Sequence, residues 1–531
     1  MKLSISNLSE IAKLPGYHVP SYDVPTIRKS TIDNPVWLHY GGGNLFRAFQ
    51  APAVQKLIES GKMVSGVITC ESYDEGIVEK CFRKVDDLCV QVILNTDGTV
   101  EKNVIGSIAQ SLCLYQDMER VKEIYASPTL QMISFTITEK GYLIKDKKEN
   151  FLPNISKDIV NAPEKAESFL SILTYLLIYR MRTCGVPLAM VSMDNCAHNG
   201  EKLRDAITTI ANEWLKNGKI AEDEYDFVAN KVKYPWTMID RITPRPAPDI
   251  ADQLESDGME DMKPFITDKG TYIAPYVITE APNYLVIEDD FPNGKPPLDE
   301  LNIIYTNREN VNNCELMKVC TCLNPPQTAM AIYGCLLGYT SIAKEFEDSD
   351  IRLMIENMCY QEGMPVVVDP KVLSPEAFEK EVFDLRLPNL YIRDTPQRIA
   401  SDTSQKLPFR FGVNITRYMS EGTEKASSLI YMPLVYAGWL RYLIGVDDDG
   451  KEFKCSYDPR LEEMQQILSG LKLGVVTDED RNAVRTILRD ITVTGADLSA
   501  AGLEDKIVAM WESMMQGPGA VRSTVHHYVT D

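Results

Sequence analysis

Between residues 36 and 193 the chain alternates short apolar runs with longer stretches of helical periodicity, and few folds accommodate that alternation. The runs are 36–40, 64–70, 88–94, 100–108, 130–138 and 188–193. Each is too short for a helix and is bounded by turn residues, so each reads as a strand. Helical periodicity fills 44–60, 167–183 and 200–217. Pro52 must kink the first of these helices or start its second part. Strands alternating with helices imply a mostly parallel sheet covered on both faces: an α/β fold, doubly wound and Rossmann-like. The NTDG turn at 95–98 reads as a hairpin between two of the runs. Residues 1–35, interrupted by Pro15, Pro20, Pro25 and Pro35, read as an irregular lead-in.

The pattern changes near residue 300. The last strand candidates are 272–280 and 284–288, and the FPNGKPP segment at 291–297 reads as a linker. Beyond it the periodicity is helical: 314–323, 328–343, 349–360, 375–385, 425–444, 459–471, 478–488 and 504–515. A chain of 531 residues exceeds one ordinary core. Two domains are therefore expected, an α/β domain over 1–298 and a mainly α-helical domain over 299–531.

Charge and composition exclude several partners. A formal net charge of −21 argues against nucleic acid and against an anionic membrane surface. A small anionic ligand stays compatible where a few basic side chains converge. The start, MKLSISNLSEIAKL, lacks the apolar core of a signal peptide. The most apolar stretch, 428–446, contains Pro433 and Arg441 and reads as a buried helix rather than a membrane span. Twelve scattered cysteines fit a reducing compartment, so a cytoplasmic location is expected.

Gly41 and Gly43 follow the first strand and precede a helix, the context in which a backbone approaches a pyrophosphate. The third glycine of the usual fingerprint is absent, with Phe46 in its place. The segment alone is equally an ordinary strand–turn–helix. Glu71 ends the second strand, where an acid accepts hydrogen bonds from ribose hydroxyls and repels a 2′-phosphate. It lies 28 residues after Gly43 (71 − 43), against about 20 in the usual fingerprint, and alone it is equally a solvated loop carboxylate. The five histidines and twelve cysteines show no zinc spacing and there is no G-x-S-x-G, so neither a zinc site nor a serine hydrolase is implied. Lysine is an open alternative as the proton-transfer group.

Four separated segments share the pattern of one family. HYGGGNLFRA (39–48), SMDNCAHNG (192–200), YPWTMIDRITP (234–244) and RIASDTSQKLP (398–408) run in family order, with TITEKGY (136–142) as a weaker fifth. The chain resembles the polyol-specific long-chain dehydrogenases, which include mannitol 2-dehydrogenase, fructuronate reductase and tagaturonate reductase. The resemblance implies an oxidoreductase that uses NAD, no metal, and a small sugar acid or polyol as substrate; it leaves the oligomeric state open. It assigns cofactor contacts to Gly41, Gly43, Asn44, Leu45, Arg47, Glu71, Thr138 and Glu139. It also implies a catalytic lysine shortly before an Asn. In MKVCTCLNPPQ (317–327) that lysine is Lys318, general base in alcohol oxidation and general acid in ketone reduction. Asn195 and Asn324 would donate to the developing alkoxide. Asp240, Gln327, Arg398 and Lys406 would hold the substrate, with His198 beside Asn195.

Two departures stand out. Five residues separate Lys318 from Asn324 where the family has four, which on a regular helix turns the pair by about 100°. A π-bulge would absorb the extra residue. Gln327 stands where the family has a substrate-orienting His; it can hydrogen-bond but not titrate. His198 would partly stand in for it, or simply cap the helix that follows. The motifs favour interconversion of fructuronate and D-mannonate. Mannitol 2-dehydrogenase and tagaturonate reductase are the near alternatives, and a nucleotide-binding member with impaired catalysis is the alternative of another class.

Overall fold

Parallel pairing organises the first part of the chain. In the computed structural model, which describes residues 1–530, one sheet is built from β1 (Trp37–Tyr40), β2 (Val67–Glu71), β3 (Ile108–Cys113), β4 (Met132–Phe135) and β5 (Ala189–Ser192). The spatial order is β3-β2-β1-β4-β5 and every pairing is parallel. This is the doubly wound order, with its reversal beside β1. The α/β expectation for the first domain is therefore met.

The side-chain period of two sorts these strands into two cores. Leu38, Tyr40, Ile68, Cys70, Ile133, Phe135 and Met190 point to one face. There they meet α2 (Phe169–Thr183) and α3 (Asn199–Lys216), following α1 (Ala51–Glu59) in the chain. Trp37, Val67, Met132, Ala189 and Val191 point to the other face and pack on Phe49, Val54 and Leu57. Burial on both faces explains why β1, β2, β4 and β5 read as mainly apolar runs. Pro52 sits in the first turn of α1, after a π-helical turn at Phe46–Gln50, so it starts the second part of that helix.

Several expectations change. The lead-in is not irregular: it holds a helix at Val24–Asp33 and a strand at Tyr17–His18. Asp23 caps that helix, and Pro25 occupies its first turn, where the missing N–H costs nothing. The run 100–108 is two elements. Val100–Ile105 pairs with Cys89–Leu94 as the expected hairpin, but in a separate four-stranded sheet completed by Tyr17–His18 and Tyr276–Thr279. Ile108 then opens β3 in the main sheet. The break falls at Gly106, where a Cβ would stand 2.9 Å from Pro20. The compact units divide after Asn312 rather than at 298. The reason is a strand missed in the sequence, Ile304–Thr306, which pairs in parallel with Tyr284–Glu288 and ties the segment after the expected linker to the first unit.

The second unit, from Asn313 onward, is helical as expected. Its centre includes α4 (Asn324–Leu336) and α5 (Tyr431–Leu443). Every residue of α5 is buried, and Gly438 lets Tyr333 approach so closely that a Cβ would stand 2.6 Å from its ring. The carboxylate of Glu362 accepts the N–H groups of Ile430, Tyr431 and Met432, capping α5. Arg441, fully buried, donates to the carbonyls of Val446, Asp447 and Met514. Among the described residues no helix is long and apolar enough to cross a membrane. The sequence did not reveal the closing helix Ala520–Thr530.

A similar guanidinium clamp holds the first unit. Arg180 on α2 is fully buried and donates to the carbonyls of Val186, Tyr125, Ser127 and Leu130 at 2.6–3.1 Å. Arg180→Ala takes a donor from all four carbonyls. Leu130 keeps the Asn293 amide and Ser127 keeps the Leu130 N–H, so Tyr125 and Val186 are left unmet, each unmet acceptor costing roughly 1–3 kcal/mol. The urea midpoint of the first unit should fall, corresponding to a loss of at least about 2 kcal/mol. An unchanged midpoint would show that water or a rearranged chain replaces the clamp.

Candidate functional site

Parallel strands bring their carboxyl ends to one edge, and most first-unit residues singled out in the sequence lie there. β1 leads into Gly41, whose φ is +111° and where a Cβ would stand 2.4 Å from the Thr136 carbonyl oxygen. A Cβ at Gly42 would stand 2.7 Å from the Phe82 ring. These two glycines are required by packing. Gly43 differs: nothing lies within 4 Å of its missing Cβ. Gly43, Asn44 and Leu45 are partly exposed and open the helical segment, whose first N–H groups lack intrahelical partners. The open side of Gly43 is a cradle of the kind a pyrophosphate needs.

Glu71, at the end of β2, is buried and folded onto this loop. One carboxylate oxygen accepts the Gly42 N–H at 2.9 Å; the other accepts those of Ser72, Tyr73 and Asp74 at 3.0–3.3 Å. The acid therefore shapes both loops that a ribose and a pyrophosphate would touch. At the end of β4, Thr138 has a φ of +65° and is exposed with Glu139. That strained turn is held by Asp194, which follows β5 and accepts the N–H groups of Ile137 and Thr138 at 3.0 and 2.8 Å and the Tyr142 hydroxyl at 2.5 Å. Burial raises the Asp194 carboxyl, and the hydroxyl and N–H donors oppose the shift. Asp194 is a positioning residue that sequence reading passed over, although it lies inside the second motif.

Asn195, next in the chain, is exposed. His198 is exposed, stacks on Trp236 at 4.3 Å, and meets Asn312 Oδ1 at 3.1 Å. It occupies the N-cap position of α3 but makes no capping bond. Three motif residues turn inward. His39 bridges Ser134 Oγ at 2.6 Å and Thr136 Oγ1 at 2.9 Å, and burial pushes it down to about 3, so it is a neutral tie between β1 and β4. Arg47 is fully buried; it donates to the Ala274 carbonyl at 2.7 Å and to Asn44 Oδ1 at 3.0 Å, supporting the glycine loop from beneath. Asp240 is also buried, at the end of the strand Thr237–Asp240. Its neighbour Arg241 donates to Thr279 Oγ1 and to the Glu280 carbonyl, joining two sheets.

The second unit carries the lysine. Lys318 opens a π-helical turn, Lys318–Cys322, that continues the helix Arg308–Met317. The Leu323 N–H bonds to the Lys318 carbonyl at 3.1 Å, five residues back. The wide turn takes up the residue by which this segment exceeds the family pattern. The Lys318 side chain is 2 % exposed and its ammonium lies 3.1 Å from Glu315, which is 13 % exposed. Burial of a cation is tolerated where a carboxylate matches it, and Glu315 was not picked out in the sequence. Asn324 begins α4. Its Oδ1 is buried with no hydrogen-bond partner among the described residues. Pro325 and Pro326 follow, so the first turn of α4 lacks two N–H groups that other helices offer to anions. Gln327, partly exposed, lies on the same turn.

Arg398 and Lys406 fare differently. The Arg398 guanidinium closes on Asp394 through two N–H groups and is largely exposed. Lys406 donates to the Ile399 carbonyl at 2.8 Å. Burial first, and then the neighbouring Arg410, push its ammonium down to about 8.

The mannitol dehydrogenase Rossmann domain matches residues 36–300, and the mannitol dehydrogenase C-terminal domain matches residues 310–515. D-mannonate oxidoreductase of Thermotoga maritima is 42% identical over 519 residues, 97% of this chain and 96% of that protein. Mannitol 2-dehydrogenase of Phaeosphaeria nodorum is 28% identical over 473 residues, 88% of this chain and 77% of that protein. Among solved structures, the Pseudomonas fluorescens mannitol 2-dehydrogenase ternary complex with NAD and D-mannitol aligns over 100% of both chains, with a TM-score of 0.73 and 25% identity.

The open side of Gly43 yields a test. Gly43→Ala should leave the melting temperature unchanged, because its methyl group meets no protein atom. It should weaken dinucleotide binding by at least about tenfold, by keeping the ligand off the backbone. Unaltered affinity would place the ligand elsewhere.

Proposed function

This chain belongs to the mannitol dehydrogenase family, and on that footing we propose that it interconverts a hexonate and its keto acid, D-mannonate and D-fructuronate, with NAD. The observation that carries the substrate choice is the 42% identity to a D-mannonate oxidoreductase, maintained over 97% of the chain. Oxidation of a neutral polyol is the second reading, favoured by the match to mannitol 2-dehydrogenase.

The cofactor loop is 41–45, with Glu71 shaping the loops that would take the adenosine ribose and Thr138 and Glu139 bordering the same edge. NAD, when bound, supplies a hydride acceptor at C4 of its nicotinamide. Everything else falls to side chains. In oxidation Lys318 takes the proton from the substrate hydroxyl at C5, and in reduction it returns a proton to the ketone oxygen. A lysine suits both directions because its protonation responds strongly to its surroundings. Glu315, at 3.1 Å, balances the ammonium form inside the unit. Asn324 opens the helix that follows the Lys318 turn, and its side-chain NH₂ is a hydrogen-bond donor. That NH₂ donates to the substrate oxygen as alkoxide charge develops, while the hydroxyl proton passes to Lys318. Asn195 supplies the second amide, and Asp240, Gln327 and Lys406 orient the remaining hydroxyls and the polar end. Arg398, already closed on Asp394, acts by holding that segment.

Initial rates of NADH consumption with D-fructuronate, D-tagaturonate and D-fructose test the reading. Fructuronate should give the highest kcat/KM, and Lys318→Ala should lower it by about 10²–10⁴-fold, the range that positioned proton transfer contributes. Preference for fructose would replace the acid reading with the polyol one. A Lys318→Ala enzyme of near-normal turnover would move the proton to another group.

A further inference from the structure

We propose that Arg410 binds the carboxylate of the sugar-acid substrate, with Lys406 as the second cation, and so sets the preference for an acid over a neutral polyol. The inference deepens the reading above and rests on it.

Arg410 follows the fourth motif by two residues and lies in the π-helical turn Pro408–Gly412. Its Nη1 donates to Thr328 Oγ1, and that hydroxyl donates to the Asn324 carbonyl at 2.8 Å. Thr328 is one helical turn after Asn324, so the guanidinium is seated over the face of α4 that carries the Asn324 amide. Among the described residues the other N–H groups of Arg410 have no protein partner, and none of them is sealed from solvent. The side chain is thus anchored at one end of its fork and unsatisfied at the other.

Its surroundings are cationic. Arg417 donates to Asn414 Oδ1 at 3.1 Å and to the Val366 carbonyl at 3.0 Å, and Asn414 in turn donates to the Cys320 carbonyl at 2.6 Å. This chain of bonds fixes Arg417 to the turn that bears Lys318. Burial pushes the Cys320 thiol up to about 11, while Arg417 and Arg410 pull it back and Glu315 adds to the rise. Both guanidinium groups therefore act at the Lys318 turn. Lys406 is close enough to Arg410 for the two charges to repel. Among the described residues none of Lys406, Arg410 and Arg417 forms an ion pair. Asp402 and Asp458 act on Lys406 only from beyond contact, and Asp458 is taken up by Ser404 and Thr403.

In a chain with 76 acidic and 55 basic side chains, three neighbouring cations with no carboxylate in contact are anomalous. Burial pulls the Arg410 guanidinium down to about 10, and no carboxylate acts against that shift, only Cys320. A partly buried charge without a carboxylate partner is costly, and an anionic ligand lowers that cost. The prolines of α4 remove backbone N–H groups that would otherwise serve an anion, so recognition falls to side chains. A guanidinium fork with free N–H groups matches a carboxylate in plane and in charge. A neutral hydroxymethyl group would leave it unmatched.

The test compares wild type, Arg410→Gln and Arg410→Lys in oxidising D-mannonate and D-mannitol. NADH binding and melting temperature serve as checks on folding. In Arg410→Gln the ratio of kcat/KM for mannonate to that for mannitol should fall about 10- to 100-fold, chiefly through KM. Arg410→Lys should recover part of the ratio, since it keeps the charge without the fork. A general structural lesion would lower both substrates alike and leave the ratio intact, which overturns the proposal. Should Arg410→Gln not fold, Thr328→Val, which unseats the guanidinium, must lower the same ratio or the proposal fails. If wild type favours mannonate and both variants keep that preference, only the role of Arg410 is lost. If wild type itself favours mannitol, the acid reading falls, and this proposal with it.

Discussion

The first unit depends on five strands pairing in parallel. Parallel pairing sends every strand out at the same edge, so Gly41, Glu71, Thr138 and Asn195 reach that edge although they are far apart in sequence. The same pairing demands cover on both faces, which dictates the mainly apolar runs and the helices between them. Several of the polar groups that enter the sheet are matched there. The Trp37 indole and the His39 ring both bond Ser134 Oγ, tying β1 to β4 beside the point where strand order reverses. Asp194 and Glu71 do the same for the loops, spending their carboxylates on backbone N–H groups so that strained turns persist.

The second unit works under a different constraint, the burial of charge. Lys318 is matched by Glu315, Glu362 by the N-terminus of α5, and Arg441 by three carbonyls. Other groups are not fully matched by the fold: the Asn324 amide oxygen, one end of the Arg410 guanidinium, and the buried carboxylates of Glu345 and Glu379.

Much of this was legible in the sequence. The strand–helix alternation predicts the sheet because burial on two faces leaves a compositional trace. The π-turn at Lys318 was implied by the extra residue before Asn324. Other features leave no local trace. The strand Ile304–Thr306 is three residues long and only partly buried, so it has no periodicity to detect. The split of 100–108 depends on contacts of Gly106 with a distant proline. The partners of Arg398 and Arg410 could not be read from spacing. Asp394, four residues before Arg398, looks like any other acid, and Thr328 lies 82 residues from the guanidinium it seats.

The central claim is direct transfer of hydrogen between the C5 carbon of a hexonate and NAD. Oxidation of D-mannonate carrying deuterium at C5, followed by NMR of the nucleotide product, tests it. The account predicts one deuterium at C4 of the reduced nicotinamide per turnover, and a slowed rate where hydrogen transfer limits. Reduced nucleotide that carries no deuterium, or no reaction with the hexonate at all, would contradict it.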